Sequence, residues 1–514
     1  MSKTIIIIGA GLAGLSAALQ AAENGCNVKL VSSFPSERAQ SVMAEGGINA
    51  ALNTKDENDS PEEHFTDTIK AACGLADPNA VWGMTQAAPE LVHWLLKLGV
   101  QFNMIGYDDV DLRNFGGQKK KRTAFAQSDT GKQIMTAMID AVRRKEASGM
   151  VERFSHHSFL TLRLCGSVCC GCVIRDEYSQ EIVELPGDAV IVASGGMHGL
   201  FGNTTGSLSN TGEVTAELFR LGVPLANGEM IQYHPTTVKC GGKRMLISEA
   251  ARGEGGRLFA MKDGKQWYFM EEKYPELGNL MPRDITAREI WKVSHESEVF
   301  LDMTEISDEI ISNKLSGLAD DCMTYLHKDI RKEAVSVLPG IHYFMGGILV
   351  DEQHRTPIQN LYAAGECCAQ YHGANRLGGN SLLGALYGGH VAAKSACEQA
   401  DVVDLSCATQ IDVPPASQIS EIKQLNKVMQ ETMGVVRNEN TLLNGIRTVQ
   451  ALTGNLPLLG MAVLKSALAR KESRGAHWRE DYPEYNNRDF LKTTVARFDG
   501  KKIQISFMSV PERR

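Results

Sequence analysis

A glycine-rich loop, a set of arginines and histidines, and a cluster of cysteines are the features of this chain that could do chemistry. Gly9-Ala10-Gly11-Leu12-Ala13-Gly14 matches the pattern G-x-G-x-x-G. In such a loop Gly9 permits a tight turn, Gly11 lets backbone approach a pyrophosphate, and Gly14 lets a helix and a strand pack closely. Arg376 has the planar fork that can grip a carboxylate through two hydrogen bonds. Glu249 and Arg252 have the i,i+3 spacing of a helical ion pair. His234 precedes Pro235, and His342 stands just before Gly346-Gly347. Such turn-rich breaks carry functional groups more often than regular elements do. Cys165, Cys169, Cys170 and Cys172 invite a metal site, but their flanks alternate as in a hairpin. Neighbours on a strand point to opposite faces, so Cys169 and Cys170 cannot easily converge, and buried structural thiols are expected. Lys119-Lys120-Lys121-Arg122 is a basic run that either meets a phosphate or acidic partner or forms a solvated loop.

The elements around these residues set their positions. Thr4 to Ile8 is a β-branched apolar run, the pattern of a buried parallel strand. Leu15 to Asn24 reads as a helix and Asn27 to Val31 as the next strand. The glycine loop therefore lies between a strand and a helix, with the helix N-terminus turned toward a negative ligand. A bound dinucleotide is the expectation. The second strand ends in Ser32-Ser33, where a carboxylate usually holds the ribose; hydroxyls bond it less strongly. With 514 residues the chain has room for two to four domains. Its net charge of −8 argues against nucleic acid or an anionic membrane as the main partner. Twelve cysteines are too few for a disulfide scaffold. The apolar run before Gly9 is too short for a secretory signal, and no stretch reads as a membrane span. A soluble cytoplasmic protein with reduced thiols is expected.

A series of later segments identifies a family. It begins with Arg38-Ala39-Gln40-Ser41-Val42-Met43-Ala44-Glu45-Gly46-Gly47-Ile48-Asn49-Ala50, Asn114-Phe115-Gly116-Gly117-Gln118 and Asp129-Thr130-Gly131. Gln232-Tyr233-His234-Pro235-Thr236, Ser248 to Gly256, Pro282-Arg283-Asp284 and His342 to Gly347 follow. Ala364-Gly365-Glu366, His372 to Leu382 and Glu472 to His477 complete it. In this order and spacing the chain resembles the flavoprotein subunit of succinate dehydrogenase and fumarate reductase. The resemblance implies an α/β fold: a Rossmann-like FAD-binding domain with an inserted capping domain, followed by a C-terminal helical domain. Carried onto this chain, the FAD domain spans 1–230 and 341–405, the cap 231–340 and the helical domain 415–480. A short tail, 481–514, follows. Val402 to Gln418, with Pro414-Pro415, reads as the linker into the helical domain.

The resemblance also assigns roles. Arg283 is the proton donor, and Glu249 and Arg252 are the relay that reprotonates it. A guanidine is a poor acid in water, so it can serve only with such a relay. His234, His342 and Arg376 clamp the carboxylates of a C4-dicarboxylate, and Ser248 adds a hydroxyl. These cations make the double bond more electrophilic toward a hydride from the flavin. Beyond Gly9, Gly11, Gly14, Ser32 and Ser33, FAD contacts are expected at Ser41, Gly46, Gly47, Glu213, Glu366, Ser381 and Leu382. Glu213 stands where the family commonly has Asp. The helix beginning at Asn380-Ser381 is expected to aim its N-terminus at the flavin. Membrane-bound relatives often attach FAD covalently through a histidine, and that position here is Gln40, which cannot form the bond. Non-covalent FAD, more reducing and suited to fumarate reduction, is therefore expected. No haem or ferredoxin cysteine pattern is present. Electrons must come from a partner, expected to be an iron–sulfur protein, through which the chain would sit peripherally on a membrane. An L-aspartate oxidase, a reductase of another α,β-unsaturated acid and a non-catalytic FAD carrier are the alternatives. The Arg283, Glu249 and Arg252 set speaks against a mere carrier.

Overall fold

The computed structural model describes residues 2–207, 209–402, 411, 413 and 418–513. Most of the expected linker, Val402 to Gln418, thus lies outside the described residues. Strand β1 (Thr4–Ile8) leads through the glycine loop into helix α1 (Leu12–Glu23), and strand β2 (Asn27–Ser32) follows. The helix starts earlier than its sequence pattern suggested, because Gly11 itself serves as N-cap. Four of the five β1 residues are buried, as the apolar run requires. β1 sits at the centre of a five-stranded parallel sheet, ordered Leu361–Ala363, Ala189–Val192, β1, β2, Val151–Ser155. One of these strands, Leu361–Ala363, comes from far along the chain, so everything between it and Ala189–Val192 loops out of the sheet and returns. An antiparallel meander, His157–Cys165, Val168–Asp176 and Ile182–Pro186, continues beside it.

The excursion builds the cap. Ile231–Cys240 pairs antiparallel with both Lys243–Leu246 and Leu338–Phe344. Arg257–Lys262, Lys265–Trp267, Val299–Asp302 and Val335–Ser336 form a second sheet around a separate apolar core. Beyond it, helix Asn380–Gln399 returns to pack on α1. Three helices, Ile419–Thr432, Glu439–Val449 and Asn455–Ala469, then share one core with the outer face of the FAD domain.

The segment expected as a short tail is not one. Lys492–Phe498 and Ile503–Ser509 form an antiparallel hairpin, and Leu225–Ala226 pairs with its first strand. The hairpin completes a five-stranded sheet that also holds Gly347–Leu349 and Cys368–Ala369. Its reason is local and readable: Thr493, Thr494, Val495 and Ala496 favour a strand and are buried, and Gly500 takes a φ of 87° in the turn after Asp499.

Two smaller expectations also change. The basic run is no solvated loop at its end: Arg122 is fully buried, 2.8 Å from Asp59 and 3.0 Å from Asp67. The Lys119 amide bonds Asp67 and Lys121 pairs with Glu57 while both side chains stay exposed, so the rest of the run is a solvated loop anchored at Arg122. Cys169, Cys170 and Cys172 are free and buried, as expected, while Cys165 is disulfide-bonded. Among the described residues no cluster of His, Cys, Asp or Glu could hold a metal ion, and no helix is long and apolar enough to cross a membrane.

Candidate active site

A cavity of about 480 Å³ runs from the glycine loop to the cap. Its near end is the C-terminal edge of the parallel sheet, where ligands of such folds bind. A side chain at Gly9 would run into the Ala193 carbonyl, and one at Gly14 into the Gly9 carbonyl. The protein itself requires those two glycines. Gly11 differs: a methyl there would meet nothing nearer than Ser41 Oγ at 3.7 Å. The bareness of Gly11 therefore serves whatever occupies the cavity. Ser41 Oγ in turn accepts from the Leu12 amide at the start of α1, 3.3 Å away.

Most of the expected cofactor residues line this cavity: Gly9, Gly11, Ser32, Ser33, Ser41, Gly46, Gly47, Glu213, Glu366, Ser381 and Leu382. Gly14 stands behind it and serves packing. Glu213 opens helix Glu213–Arg220 and is exposed toward the cavity, with burial raising its carboxyl somewhat. Glu366 Oε1 accepts from the Phe344 amide at 3.1 Å, which ties the FAD domain to a cap strand. Ser381 and Leu382 are in the first turn of helix Asn380–Gln399, so that N-terminus does face the cavity. Asn380 itself is committed to a buried network with His64, Asn49 and Thr68. Gln40 lines the cavity and accepts from the Ser207 amide. The Ser32 hydroxyl is buried and has no partner in the protein. These features fit a dinucleotide: a bare approach at Gly11, an orphaned hydroxyl at the end of β2, and a helix N-terminus at the far end.

At the cap end the polar residues converge. Ser248 caps the short helix Glu249–Gly253, its Oγ accepting from the Ala250 amide. This capping aims Glu249 inward from a buried first turn. Arg283 opens helix Arg283–Val293 and crosses to Glu249 with Nε at 2.8 Å and Nη2 at 2.6 Å from Oε2. Arg252 Nη2 lies 3.5 Å from the other oxygen. The helical ion pair and the residues expected to form a relay thus share one arrangement, with Arg252 and Arg283 on opposite sides of a single carboxylate. Gly116 supplies a third contact, its amide donating to Glu249 Oε1 at 3.1 Å. A side chain at Gly116 would collide with that same oxygen, which explains the first glycine of Asn114-Phe115-Gly116-Gly117; the second takes a φ of 83°. Burial works to raise the Glu249 carboxyl, but Arg283 and Arg252 outweigh it and hold it below the ordinary value. Arg252 lies behind the cavity wall and donates to the Asn279 carbonyl at 2.6 Å, leaving Nε and Nη2 without hydrogen-bond acceptors.

Across the cavity stand His234, His342 and Arg376. The two imidazoles face each other edge to face, 5.1 Å between centroids. His234 Nδ1 is 3.0 Å from the Thr236 carbonyl, and His342 Nδ1 is 2.8 Å from Thr205 Oγ1. Each ring therefore keeps Nε2 free. Burial first, and then the Arg283 guanidinium, push both imidazoles well below their ordinary value. They are neutral at pH 7, which corrects the expectation that they act as cations. His234, its one proton on the Thr236 carbonyl, presents Nε2 as an acceptor, whereas His342 can donate from Nε2 when Thr205 donates to its Nδ1; neither adds charge. Arg376 is buried with Nε unpartnered, its guanidinium 4.3 Å over the Tyr343 ring. Burial, with Arg283 adding to it, lowers Arg376 to about 9, so it stays protonated at neutral pH. Three guanidiniums against one carboxylate leave two net positive charges, the complement of a dianion.

Three residues of this site escaped the sequence reading. Gln232 accepts from Arg283 Nη1 at 3.1 Å and donates to the Arg376 carbonyl at 2.9 Å, so it spaces the two arginines. Thr205 orients His342. Glu45 lines the cavity with Oε2 buried and unpartnered; burial, then the nearby Asp321, push its carboxyl up to about 8. Gln232 and Glu45 lie inside quoted motifs, but only their tertiary neighbours reveal what they do.

Comparison with known proteins agrees with this architecture. Residues 4–382 match a family model described as an FAD binding domain, and residues 453–513 one described as the fumarate reductase flavoprotein C-terminus. The chain is 39% identical to a succinate dehydrogenase flavoprotein subunit of Bacillus subtilis, over 96% of this chain and 94% of that one. It is 33% identical to an L-aspartate oxidase of Pyrococcus furiosus, over 96% and 99% of the two chains. The fold superposes on an E. coli quinol fumarate reductase variant with a TM-score of 0.89 at 26% identity, covering 99% of this chain and 97% of that one. The second match places the last helix and the terminal hairpin in one recognised unit, which fits their shared core. A Rossmann-like FAD-binding domain, an inserted cap and a C-terminal helical domain, joined around a buried Arg–Glu–Arg set, make this chain a member of the flavoprotein-subunit family of succinate dehydrogenase and fumarate reductase.

Proposed function

We propose that the protein interconverts fumarate and succinate on a non-covalently held FAD, with electrons exchanged through a partner that is an iron–sulfur protein. Bound FAD supplies the hydride chemistry. The chain's own residues do the rest. Arg376 takes one substrate carboxylate through its fork, and the neutral His342 donates a hydrogen bond from Nε2, with His234 beside it. Arg283 presents a guanidinium N–H to the carbon that needs a proton. Glu249, in direct contact with Arg283, returns a proton to it, and Arg252 on the far side of Glu249 completes the path. The arrangement is set before substrate arrives, so charge develops against fixed donors. Gln40 in place of a histidine supports non-covalent binding. The single observation that carries this reading is Glu249 held between Arg283 and Arg252 beside Arg376.

The test is anaerobic. The reduced flavoprotein is mixed with fumarate, and flavin absorbance and succinate are followed. Rapid reoxidation with stoichiometric succinate supports the proposal; no reoxidation by fumarate with flavin bound sinks it. Because an L-aspartate oxidase is among the relatives, oxidation of aspartate by the same preparation is measured in parallel. Faster turnover of aspartate than of succinate would move the assignment to that activity.

A further inference from the structure

β2 ends at Ser32, followed by Ser33, where dinucleotide folds place a carboxylate on the ribose diol. A carboxylate only accepts, and so matches two O–H donors; a serine can donate or accept, and nothing on β2 fixes which. The neighbouring hairpin supplies what β2 lacks. Ser33 Oγ lies 3.2 Å from Ser158 Oγ and 3.4 Å from the His157 carbonyl. Ser158 donates to Glu177 Oε1. Strand pairing explains the meeting: Ser158 stands opposite Arg175, and Glu177 follows just beyond that strand's end. Arg175 Nη2 is 3.8 Å from the same carboxylate.

The direction of this chain of hydrogen bonds follows from its charged end. Glu177 must accept, so the one proton of Ser158 goes to it. Ser158 Oγ is then left as an acceptor. The Ser33 proton goes either to Ser158 or to the His157 carbonyl, and in both cases it points inward. Ser33 Oγ is left with lone pairs toward the cavity that it and Ser158 line. Hydrogen bonds in such a chain polarise one another, so the hydroxyl becomes a stronger acceptor than an isolated serine. Ser32 beside it, 8% exposed and without a protein partner, offers a second hydroxyl to the same place.

We propose that Glu177, a positioning residue acting through Ser158 and Ser33, replaces the missing β2 carboxylate as the acceptor for the adenosine ribose hydroxyls of FAD. This rests on the flavin reading above.

The experiment titrates flavin-free protein with FAD, and with an FAD analogue whose adenosine ribose lacks both hydroxyls, by quenching of flavin fluorescence. Glu177→Gln keeps the shape but brings a donor that can reverse the chain. It should weaken FAD about tenfold and leave the dideoxy analogue unchanged. Ser158→Ala, which breaks the chain without touching Glu177, should discriminate in the same way and serves if Glu177→Gln does not fold. Adding Ser33→Glu to Glu177→Gln should restore FAD affinity, because it puts a carboxylate directly at the end of β2. Equal losses for both ligands, or a loss for neither, would overturn the proposal. Wild-type protein that binds neither ligand would instead overturn the flavin reading, and this inference with it.

Discussion

In the proposed mechanism Arg283 carries two separable jobs, contact with substrate and contact with Glu249, and neither touches the glycine loop. Arg283→Ala should therefore lower turnover by about 10²–10⁴-fold, the span of a lost general acid. Flavin content, read by absorbance, should stay at wild-type level; loss of flavin would mean a structural role. Gln40 makes a second prediction at this scale. Acid precipitation should leave the yellow colour in the supernatant, and colour in the pellet would disprove non-covalent binding. Glu45 gives a third. Its folded-state value of about 8 lies above the ordinary carboxyl value of 4.5. The folded state thus holds a proton that the unfolded state releases between those limits. The associated stability is full below pH 4.5 and is lost as pH rises through 8. Glu45→Gln, which cannot titrate, should flatten the fall in melting temperature between pH 6 and pH 8.5. An unchanged slope would show that Glu45 is not the group responsible.

Among elements, the terminal hairpin, paired with Leu225–Ala226, is also braced by one residue at the helical domain's exit. Arg470 is fully buried and bonds Glu229 and Glu472 at 2.7 and 2.8 Å, the Phe490 and Lys492 carbonyls, and Thr494 Oγ1. It joins the FAD domain, the last helix and the hairpin in one network. Arg470→Ala leaves the buried Glu229 carboxylate without its cation, while Glu472 keeps Arg474, and should cost about 3–5 kcal/mol, read in denaturant unfolding. A cost below about 1 kcal/mol would mean that water or a neighbour replaces it. The hairpin was legible in Asp499-Gly500 between β-branched runs. Its place was not, because its partner Leu225–Ala226 lies more than 250 residues earlier. The order strand–loop–helix–strand at the start was legible because residue types and spacing signal it, although the helix begins three residues earlier than its pattern suggested.

For the whole molecule, the proposed substrate site lies where the excursion meets the parallel-sheet body. Arg283, Glu249 and His234 come from the excursion, while Arg376 follows the return of the chain to the parallel sheet. A dicarboxylate binding across this junction should stabilise both sides together by mass action. Saturating succinate should raise the melting temperature of the flavin-loaded protein. The rise should vanish in Arg376→Ala, and equal shifts in both proteins would place the ligand elsewhere.

The sequence by itself determined the nucleotide fold and the family, and most of the site residues it named line the cavity. Those depend on short spacings and on residue types that chemistry restricts. The tertiary structure alone decided how they act. The two histidines are neutral because burial and Arg283 act on them together, and neither influence is written near His234 or His342. Gln232, Thr205 and Glu45 entered the site because distant segments close around them. The same holds for Glu177, which reaches Ser158 only through the register of an antiparallel pair. Charge state and partner choice are set by what surrounds a residue in space, and sequence neighbours supply only part of those surroundings.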